Sequence, residues 1–222
     1  MATWMIHFRI ADYFINKYEG LNNNHFIVGN IGPDCSIKDE HTGKFEPSCN
    51  VTHFTATGRK LDMDIDRFYN QFLFDKSLDK DSFSFYLGYY IHLLTDLIWT
   101  KLIWLPIKEK HIGDKSVNEF LSIVRADWQA HDHIFLRNNP DFKVFKRFCL
   151  IEKFDNIFLN YYVKDTFTMR ISNICDLYKN FKGELDIKYK YFSDVEAENF
   201  IFKCGEEIEK ILIQHTLFNT NA

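Results

Sequence analysis

Glycine and proline are scarce in this sequence, with 9 Gly and 4 Pro among 222 residues. A β-sandwich needs many tight turns, and these two residues supply most of them, so the low content argues against that fold class. Clusters of basic residues are also missing. The net charge is −4 and the Lys and Arg residues are scattered, so no electrostatic footprint for nucleic acid is present.

Cysteine is present in an odd number, without CxxC spacing, which argues against a disulfide framework or a cysteine-based zinc finger. The N-terminal twenty residues lack a basic start, a long apolar stretch and a small-residue cleavage site, so they predict no secretory signal. Both features favour a cytoplasmic protein with free, mostly buried thiols. The five residues concerned are Cys35, Cys49, Cys149, Cys175 and Cys204.

The longest apolar segment, residues 82–105, is long enough to cross a bilayer. However, His92, Asp96 and Lys101 lie within it, and a charged side chain at the centre of a bilayer costs several kcal/mol. We therefore expect a buried core helix and no transmembrane segment.

Apolar residues make up 46% of the chain, and they recur mainly at helical spacing. This pattern predicts one all-α domain over residues 1–222, with a long polar loop at 36–60 and a second loop at 106–114 after Pro106. Capping-box sequences open two of the helices, at Ser116 and at Ser193. Strand-like alternation is weak and confined to 185–192. Helices are expected over 3–19, 61–74, 82–105, 116–138, 140–163, 165–182 and 193–218.

Gly88, His92 and Asp96 follow one another at intervals of four residues and share one face of the central helix. Glycine in mid-helix costs about 1 kcal/mol relative to alanine, so a closely packed element or a ligand should offset it. A buried, ionised Asp needs an ionic partner or a metal. Two readings stay open here: a metal site, or a His–Asp pair that satisfies hydrogen bonds in the core.

Three further residues are candidate metal ligands. His7 lies on the apolar face of the first helix, Asp34 follows Gly-Pro after an apolar run, and His53 lies in the long loop. Taken singly, they read as a core histidine, a turn aspartate and a solvated histidine. With His92 and Asp96 they form a set suited to zinc or another divalent first-row metal. Five ligands exceed one tetrahedral site, so two ions sharing a carboxylate are expected.

The motifs "GNIGPD", "TH" and "FYLGYYIHLLTD", in that order, resemble the zinc-dependent phospholipase C family. That family is related to phosphatidylcholine-preferring phospholipases C and to P1/S1-type nucleases. The resemblance is strongest over residues 4–100 and weaker to about 135. It does not extend to residues 140–222, which we expect to add further helices.

The resemblance implies an all-helical fold with a zinc cluster in a cleft between helices. It assigns Asp34, His53, His92 and Asp96 to one zinc, and His7 with the shared Asp96 to a second. In secreted relatives an N-terminal Trp completes the second site. The sequence departs from this pattern, because Trp4 is not at the N-terminus.

A third zinc site of the secreted relatives has only a partial counterpart. The expected His after Asp96 is absent, and the nearest pair is Asp127 and His131, four residues apart on an otherwise apolar face. These two residues are either a rearranged third site, a pair that orients a ligand histidine, or a buried Asp–His hydrogen bond. The neighbouring Asp132 and His133 are expected to be solvated.

The resemblance therefore predicts a metal-dependent phosphoesterase that hydrolyses a phosphodiester, such as a phospholipid, with a metal-activated water. Asp34 is the candidate general base, or a ligand that orients this water. One alternative is a non-catalytic helical binding domain stabilised by metal. Another is a metal-free helical protein whose His and Asp residues serve only core hydrogen bonds.

Overall fold

Helices dominate the computed structural model, which describes residues 1–183 and 189–218. The fold is all-α, as predicted, and the only strands among the described residues form one short antiparallel hairpin. The helices are α1 (Trp4–Lys17), α2 (Asn23–Ile31), α3 (Cys49–Thr52), α4 (Ile65–Phe72), α5 (Lys80–Trp99), α6 (Leu105–His111), α7 (Val117–Asn138), α8 (Lys143–Cys149), α9 (Thr166–Lys179) and α10 (Asp194–Gln214). The hairpin pairs β1 (Ile37–Lys38) with β2 (Phe45–Glu46), and 3₁₀ turns cover Gly32–Asp34 and Lys60–Asp62.

Helix α5 is the centre of the core and packs most closely against α2. A Cβ atom at Gly88 would overlap the carbonyl oxygen of Phe26 and lie 2.8 Å from the amide nitrogen of Asn30. On the facing helix, a Cβ atom at Gly29 would overlap the carbonyl oxygen of Phe85. The two glycines therefore allow the backbones to touch, which answers why a glycine interrupts the apolar sequence of α5.

Helix starts match the sequence signals to different degrees. At α10 the capping box is complete, since the Ser193 hydroxyl accepts from the Glu196 amide and the Glu196 carboxylate accepts from the Ser193 amide. At α7 only half of it is present, because Ser116 accepts from the Glu119 amide without a described return bond. Both caps still satisfy amides that the first turn of a helix leaves unpaired.

The predicted loop at 106–114 is wrong over most of its length. Pro106 does not end the helix, because a π-helical turn at Thr100–Trp104 precedes it and α6 then continues to His111. Proline lacks an amide hydrogen and is tolerated in the first turn of a new helical segment. The change of hydrogen-bond register at the π turn provides such a position.

The predicted helix over 140–163 is also wrong beyond α8. The segment 150–163 is irregular and is organised by Asn156, whose amide donates to the carbonyl oxygens of Leu159 and Tyr162. The Asn156 carbonyl oxygen accepts from the amides of Phe158 and Leu159. This side chain gives the backbone partners that a helix would otherwise supply.

The cysteine prediction needs correction. Cys149 and Cys175 form a disulfide that joins α8 to α9, while Cys35 and Cys204 are buried thiols and Cys49 is exposed. Two cysteines 26 residues apart match no sequence motif, and an odd number of cysteines does not indicate that two of them pair. The weak strand pattern at 185–192 lies largely outside the described residues, and 189–192 are not in a strand.

No described helix combines the length and the apolar character that crossing a membrane requires. The expected core helix over 82–105 is confirmed for α5, in which His92 and Asp96 are fully buried, whereas Lys101 and Leu102 in the π turn that follows are exposed.

Candidate metal centre

The structure brings all five predicted ligands together in one buried cluster. His92 and Asp96 lie on α5 and His7 lies on α1. Asp34 ends the 3₁₀ turn after α2, and His53 directly follows α3. Two helices and two short loops therefore meet at one point. The residues that they contribute are up to 89 positions apart in the sequence, from His7 to Asp96.

Asp96 is at the centre of the cluster, and its two oxygens face different histidines. Oδ1 lies 3.6 Å from His7 Nε2, and Oδ2 lies 3.6 Å from His53 Nε2 and 3.7 Å from His92 Nε2. Asp34 Oδ1 lies 3.4 Å from His53 Nε2 and 4.0 Å from His92 Nε2. Ligand atoms about 2 Å from a tetrahedral zinc are separated by about 3.3 Å, so small movements would bring these atoms to ligand distance.

Two observations make the side-chain atoms of this cluster candidates for metal binding. Two groups of side chains have potential ligand atoms within 4.8 Å of one another: His7, His92 and Asp96, and Asp34, His53 and His92. In addition, five buried atoms of the candidate ligand residues have no hydrogen-bond partner: both ring nitrogens of His7, the Nε2 atoms of His53 and His92, and Asp96 Oδ2. Buried polar atoms are rarely left unsatisfied. This set of imidazole nitrogens and carboxylate oxygens suits a divalent cation.

His92 is oriented by the contact between α2 and α5. Its Nδ1 atom lies 2.7 Å from the backbone carbonyl oxygen of Asn30. The side-chain amide of Asn30 donates to the Gly88 carbonyl oxygen at 3.2 Å. A carbonyl oxygen only accepts, so His92 Nδ1 carries the hydrogen and Nε2 presents its lone pair to the cluster. Such an outer partner fixes the tautomer of a ligand histidine. Gly88 thus serves the site indirectly, by allowing Asn30 to come this close.

His53 is held by its loop in a similar way. Its Nδ1 atom lies 2.9 Å from the hydroxyl oxygen of Thr52, and the Thr52 carbonyl oxygen accepts from Tyr89 on α5 at 2.5 Å. The next residue, Phe54, has φ +53°, which is strained for a residue with a side chain. Burial of the Phe54 ring against Phe68 helps to hold this backbone.

Asp34 is positioned from two sides. Its Oδ2 atom accepts from the indole nitrogen of Trp4 at 3.1 Å, which leaves Oδ1 facing the histidines. Tyr162, from the irregular segment before α9, donates to the Gly32 carbonyl oxygen at 2.8 Å and so holds the 3₁₀ turn. Residues beyond 140 therefore contribute to the geometry of the site.

His7 is the least constrained candidate ligand of the cluster. Its ring stacks on that of His92 with centroids 3.8 Å apart, and its Nδ1 atom has no hydrogen-bond partner. On this side Asp96 Oδ1 also accepts from the amide of Ala2 at 2.9 Å. The His7 side of the cluster therefore offers fewer fixed donors than the side of Asp34 and His53.

The protonation states of His92, Asp96 and Asp34 favour cation binding. Burial, followed by the nearby His7, lowers the pKa of His92 well below its usual value and keeps the ring neutral. Burial would raise the pKa of Asp96, but Lys60 and the nearby histidines outweigh it and the pKa is lowered. The pKa of Asp34 is lowered for a similar reason, since His53 and His92 outweigh burial. Ionised carboxylates and neutral imidazoles are the forms that bind metals.

Lys60 belongs to the cluster and was not anticipated from the sequence. Its Nζ atom lies 2.7 Å from Asp96 Oδ2, outside the directional geometry of a hydrogen bond, and its side chain is 11% exposed. A lysine in a polar loop normally extends into solvent, so no feature of the sequence distinguished it. Trp4 and Asn30 were likewise not predicted to contact ligand residues.

Asp127 and His131 are not in either candidate ligand group. The Asp127 carboxylate accepts from the backbone amides of Lys190 and Tyr191, and His131 lies 3.1 Å from Asp194. These contacts join α7 to the start of α10. They give both residues a structural use and do not support the prediction of a third metal site.

The prediction that Asp132 and His133 are solvated is wrong. Asp132 is buried, and its oxygens accept from the hydroxyls of Thr3 at 2.6 Å and Tyr178 at 2.8 Å. His133 is buried as well and stacks on Phe181. Because Thr3 also caps α1, Asp132 fastens the start of the helix that carries His7.

Asp132 should make stability depend on pH. Burial raises the pKa of Asp132 from 3.8 to about 7. The protonated acid therefore stabilises the fold at pH values below about 4, and this stabilisation is lost as the pH rises to about 7. Asp132→Asn cannot ionise, so between pH 4 and 7.5 its unfolding free energy should rise relative to the parent by up to about 4 kcal/mol. Urea titrations of the parent and the variant across this pH range test the prediction. The same pH dependence of the unfolding free energy in both proteins would contradict it.

Comparison with known proteins gives one family match. The family model for zinc-dependent phospholipase C matches residues 6–200, well beyond residue 135, where the recognisable motifs end. No curated protein and no solved structure matches the chain at significant similarity. The matched region contains all five residues of the cluster. With most of its length matched, the chain belongs to the zinc-dependent phospholipase C family.

Proposed function

We propose that this protein is a zinc-dependent phosphoesterase that hydrolyses a phosphodiester, with phospholipids as the substrate class. The observation that carries the proposal is the buried group of three histidines and two aspartates, in which the three histidine Nε2 atoms have no hydrogen-bond partner. Membership of a zinc-dependent hydrolase family supports the same chemistry. Two ions are proposed, because Asp96 presents one oxygen to His7 and the other to His53 and His92.

The residues divide into two ligand sets in this proposal. Asp34, His53, His92 and Asp96 would hold one ion, and His7 with Asp96 would hold the second. Bound zinc supplies a water that is deprotonated near neutral pH and neutralises charge on phosphoryl oxygens. Asn30 would orient the ring of His92, and Thr52 would orient the ring of His53. Asp96 would belong to both ligand sets.

Asp34 is the residue proposed to position the attacking water. Its lowered pKa keeps the carboxylate ionised near neutral pH, which suits a ligand or an acceptor for a water hydrogen. The indole of Trp4 occupies Oδ2, so Oδ1 is the oxygen directed at the cluster. A carboxylate with a low pKa is a weak general base. Orienting the water is therefore the role that the geometry favours.

Access to the cluster is most direct on the side of Asp34 and Lys60. Their side chains are 7% and 11% exposed, whereas those of His7, His92 and Asp96 are completely buried. A cavity of about 560 Å³ between α7, α8 and α9 contains none of the ligand residues. Substrate is therefore proposed to approach over the loop that carries Lys60.

The test is metal content joined to an activity screen. Protein purified without a histidine tag should contain between one and two equivalents of zinc or a similar divalent ion. With added zinc it should hydrolyse a phosphodiester or phospholipid, and a chelator should remove both metal and activity. Zinc binding should also raise the unfolding temperature, because only the folded state assembles the site.

Other outcomes separate the alternatives. Zinc content without activity on phosphodiesters, phosphomonoesters or phospholipid vesicles would favour a metal-stabilised binding domain. Protein that binds no metal under any of these conditions would indicate that the His and Asp residues serve core packing alone. Asp114→Asn, which changes an exposed turn carboxylate, is a matched control for ligand variants.

A further inference from the structure

Lys60 places an ammonium group inside the ligand cluster, where a metal site has no need of a cation. Its Nζ atom is buried and lies 2.7 Å from Asp96 Oδ2, the oxygen that also faces His53 and His92. A buried charge is costly without an ionic partner, and Asp96 is the described partner of Lys60. A buried ammonium group in contact with a candidate metal ligand therefore calls for a specific role of Lys60.

The backbone around Lys60 is fastened on both sides, so the side chain is delivered to one place. Thr55 pairs with Met63 in an isolated β-bridge, and the Asp64 amide donates to the Phe54 carbonyl oxygen at 2.7 Å. Within this closed loop the Asp62 carboxylate accepts from the Thr57 amide at 3.1 Å. These contacts close the loop that contains the 3₁₀ turn of Lys60, and they do so next to His53.

Metal binding would change the electrostatics of this contact. Divalent ions that share Asp96 bring several positive charges within a few ångströms of Nζ, where charges repel strongly in a buried setting. The ammonium would then leave Oδ2, and the flexible four-carbon stem of lysine permits such a movement. Near the cluster it would need a new anion, and the exposed side of the site is where a phosphoryl group would arrive.

On the basis of the proposed function, we infer that Lys60 is a substrate-binding residue that contacts a phosphoryl oxygen beside the metal ions. In the absence of metal its ammonium neutralises Asp96, and in the loaded protein it turns to the bound phosphate. Lysine is well suited to this task, because it acts as a point charge with three rotatable donors.

The test uses inorganic phosphate and the zinc-loaded full-length protein. Lys60→Met removes the charge and keeps much of the apolar stem, while Lys60→Arg keeps the charge. Lys76→Met, at an exposed lysine, is the matched control. Zinc affinity is measured by competition with a chelating indicator, and phosphate affinity by calorimetry.

Lys60→Met should retain the zinc stoichiometry of the parent, bind zinc as tightly or more tightly, and bind phosphate about 10- to 100-fold more weakly, as expected for a lost charged hydrogen bond. Lys60→Arg should recover part of the phosphate affinity. Unchanged phosphate affinity in Lys60→Met, loss of its zinc, or a zinc-loaded parent that binds no phosphate would each overturn the inference.

This experiment separates the inference from the proposed function. A parent protein that binds zinc and phosphate, with phosphate binding dependent on Lys60, but hydrolyses no phosphodiester would retain the Lys60 site and refute the activity. A parent that hydrolyses phosphodiesters, but whose Lys60→Met variant has unchanged phosphate affinity and KM, would retain the activity and refute the role of Lys60.

Discussion

Asp96→Asn should remove most of the bound metal and abolish phosphoesterase activity. Asn keeps the size of Asp but loses its charge, and a neutral amide cannot serve two cations through both of its end atoms. The variant also leaves Lys60 without its carboxylate partner. Because the lysine stem can turn the ammonium outwards, the resulting loss of stability should be limited to about 1–3 kcal/mol. Metal content by elemental analysis measures the first effect without knowledge of the substrate.

A second variant separates loss of charge from general damage to the fold. In Asp96→Asn combined with Lys60→Met, the unpaired ammonium is gone, so stability should recover in part while metal binding stays weak. Asp114→Asn should change neither property. Undiminished metal in Asp96→Asn would refute the bridging role and most of the proposed mechanism.

Gly88→Leu should destabilise the protein by about 3 kcal/mol or more and weaken metal binding. Helix propensity alone would predict a gain of up to about 1 kcal/mol for Leu at a mid-helix position. The added Cβ would instead overlap the Phe26 carbonyl oxygen, and backbone atoms cannot move aside as a side chain can. Separation of α2 from α5 would also withdraw the Asn30 carbonyl oxygen from His92. Thermal unfolding and zinc titration measure the two effects.

Gly205→Ala in α10 is a suitable comparison, because an added Cβ there meets the ring of Tyr13, a partly exposed side chain that can shift. Its cost should be clearly smaller, with metal binding unchanged. A Gly88→Leu protein that melts higher than the parent and keeps its metal would show that the close approach of α2 has no role in the site.

Most of the candidate ligands could be identified in the sequence because their positions carry a local signal. His92 and Asp96 are four residues apart on a helix, and an ionisable pair in an apolar helix demands an explanation. His7 and Asp34 also interrupt apolar segments. Their convergence with His53 required the family resemblance, since no local pattern indicates which loop residue folds back onto α5.

Other features depended on contacts that the sequence does not encode locally. Lys60 enters the cluster because its loop is closed by the bridge between Thr55 and Met63, a pairing between residues of no special type. Asp132 looks like an exposed helix residue until Thr3 and Tyr178 are seen to cover it. Pro106 indicates a helix end in the sequence, because the π turn that accommodates it leaves no mark in the hydrophobic pattern.

We propose that zinc is held jointly by five residues: His7, Asp34, His53, His92 and Asp96. Crystals of zinc-loaded protein, measured on both sides of the zinc absorption edge, test it directly. We expect one or two anomalous peaks in the cluster, at about 2.0–2.2 Å from His92 Nε2 or from an Asp96 oxygen. Zinc-saturated crystals with no anomalous peak within the cluster, or with peaks only at other sites, would contradict it.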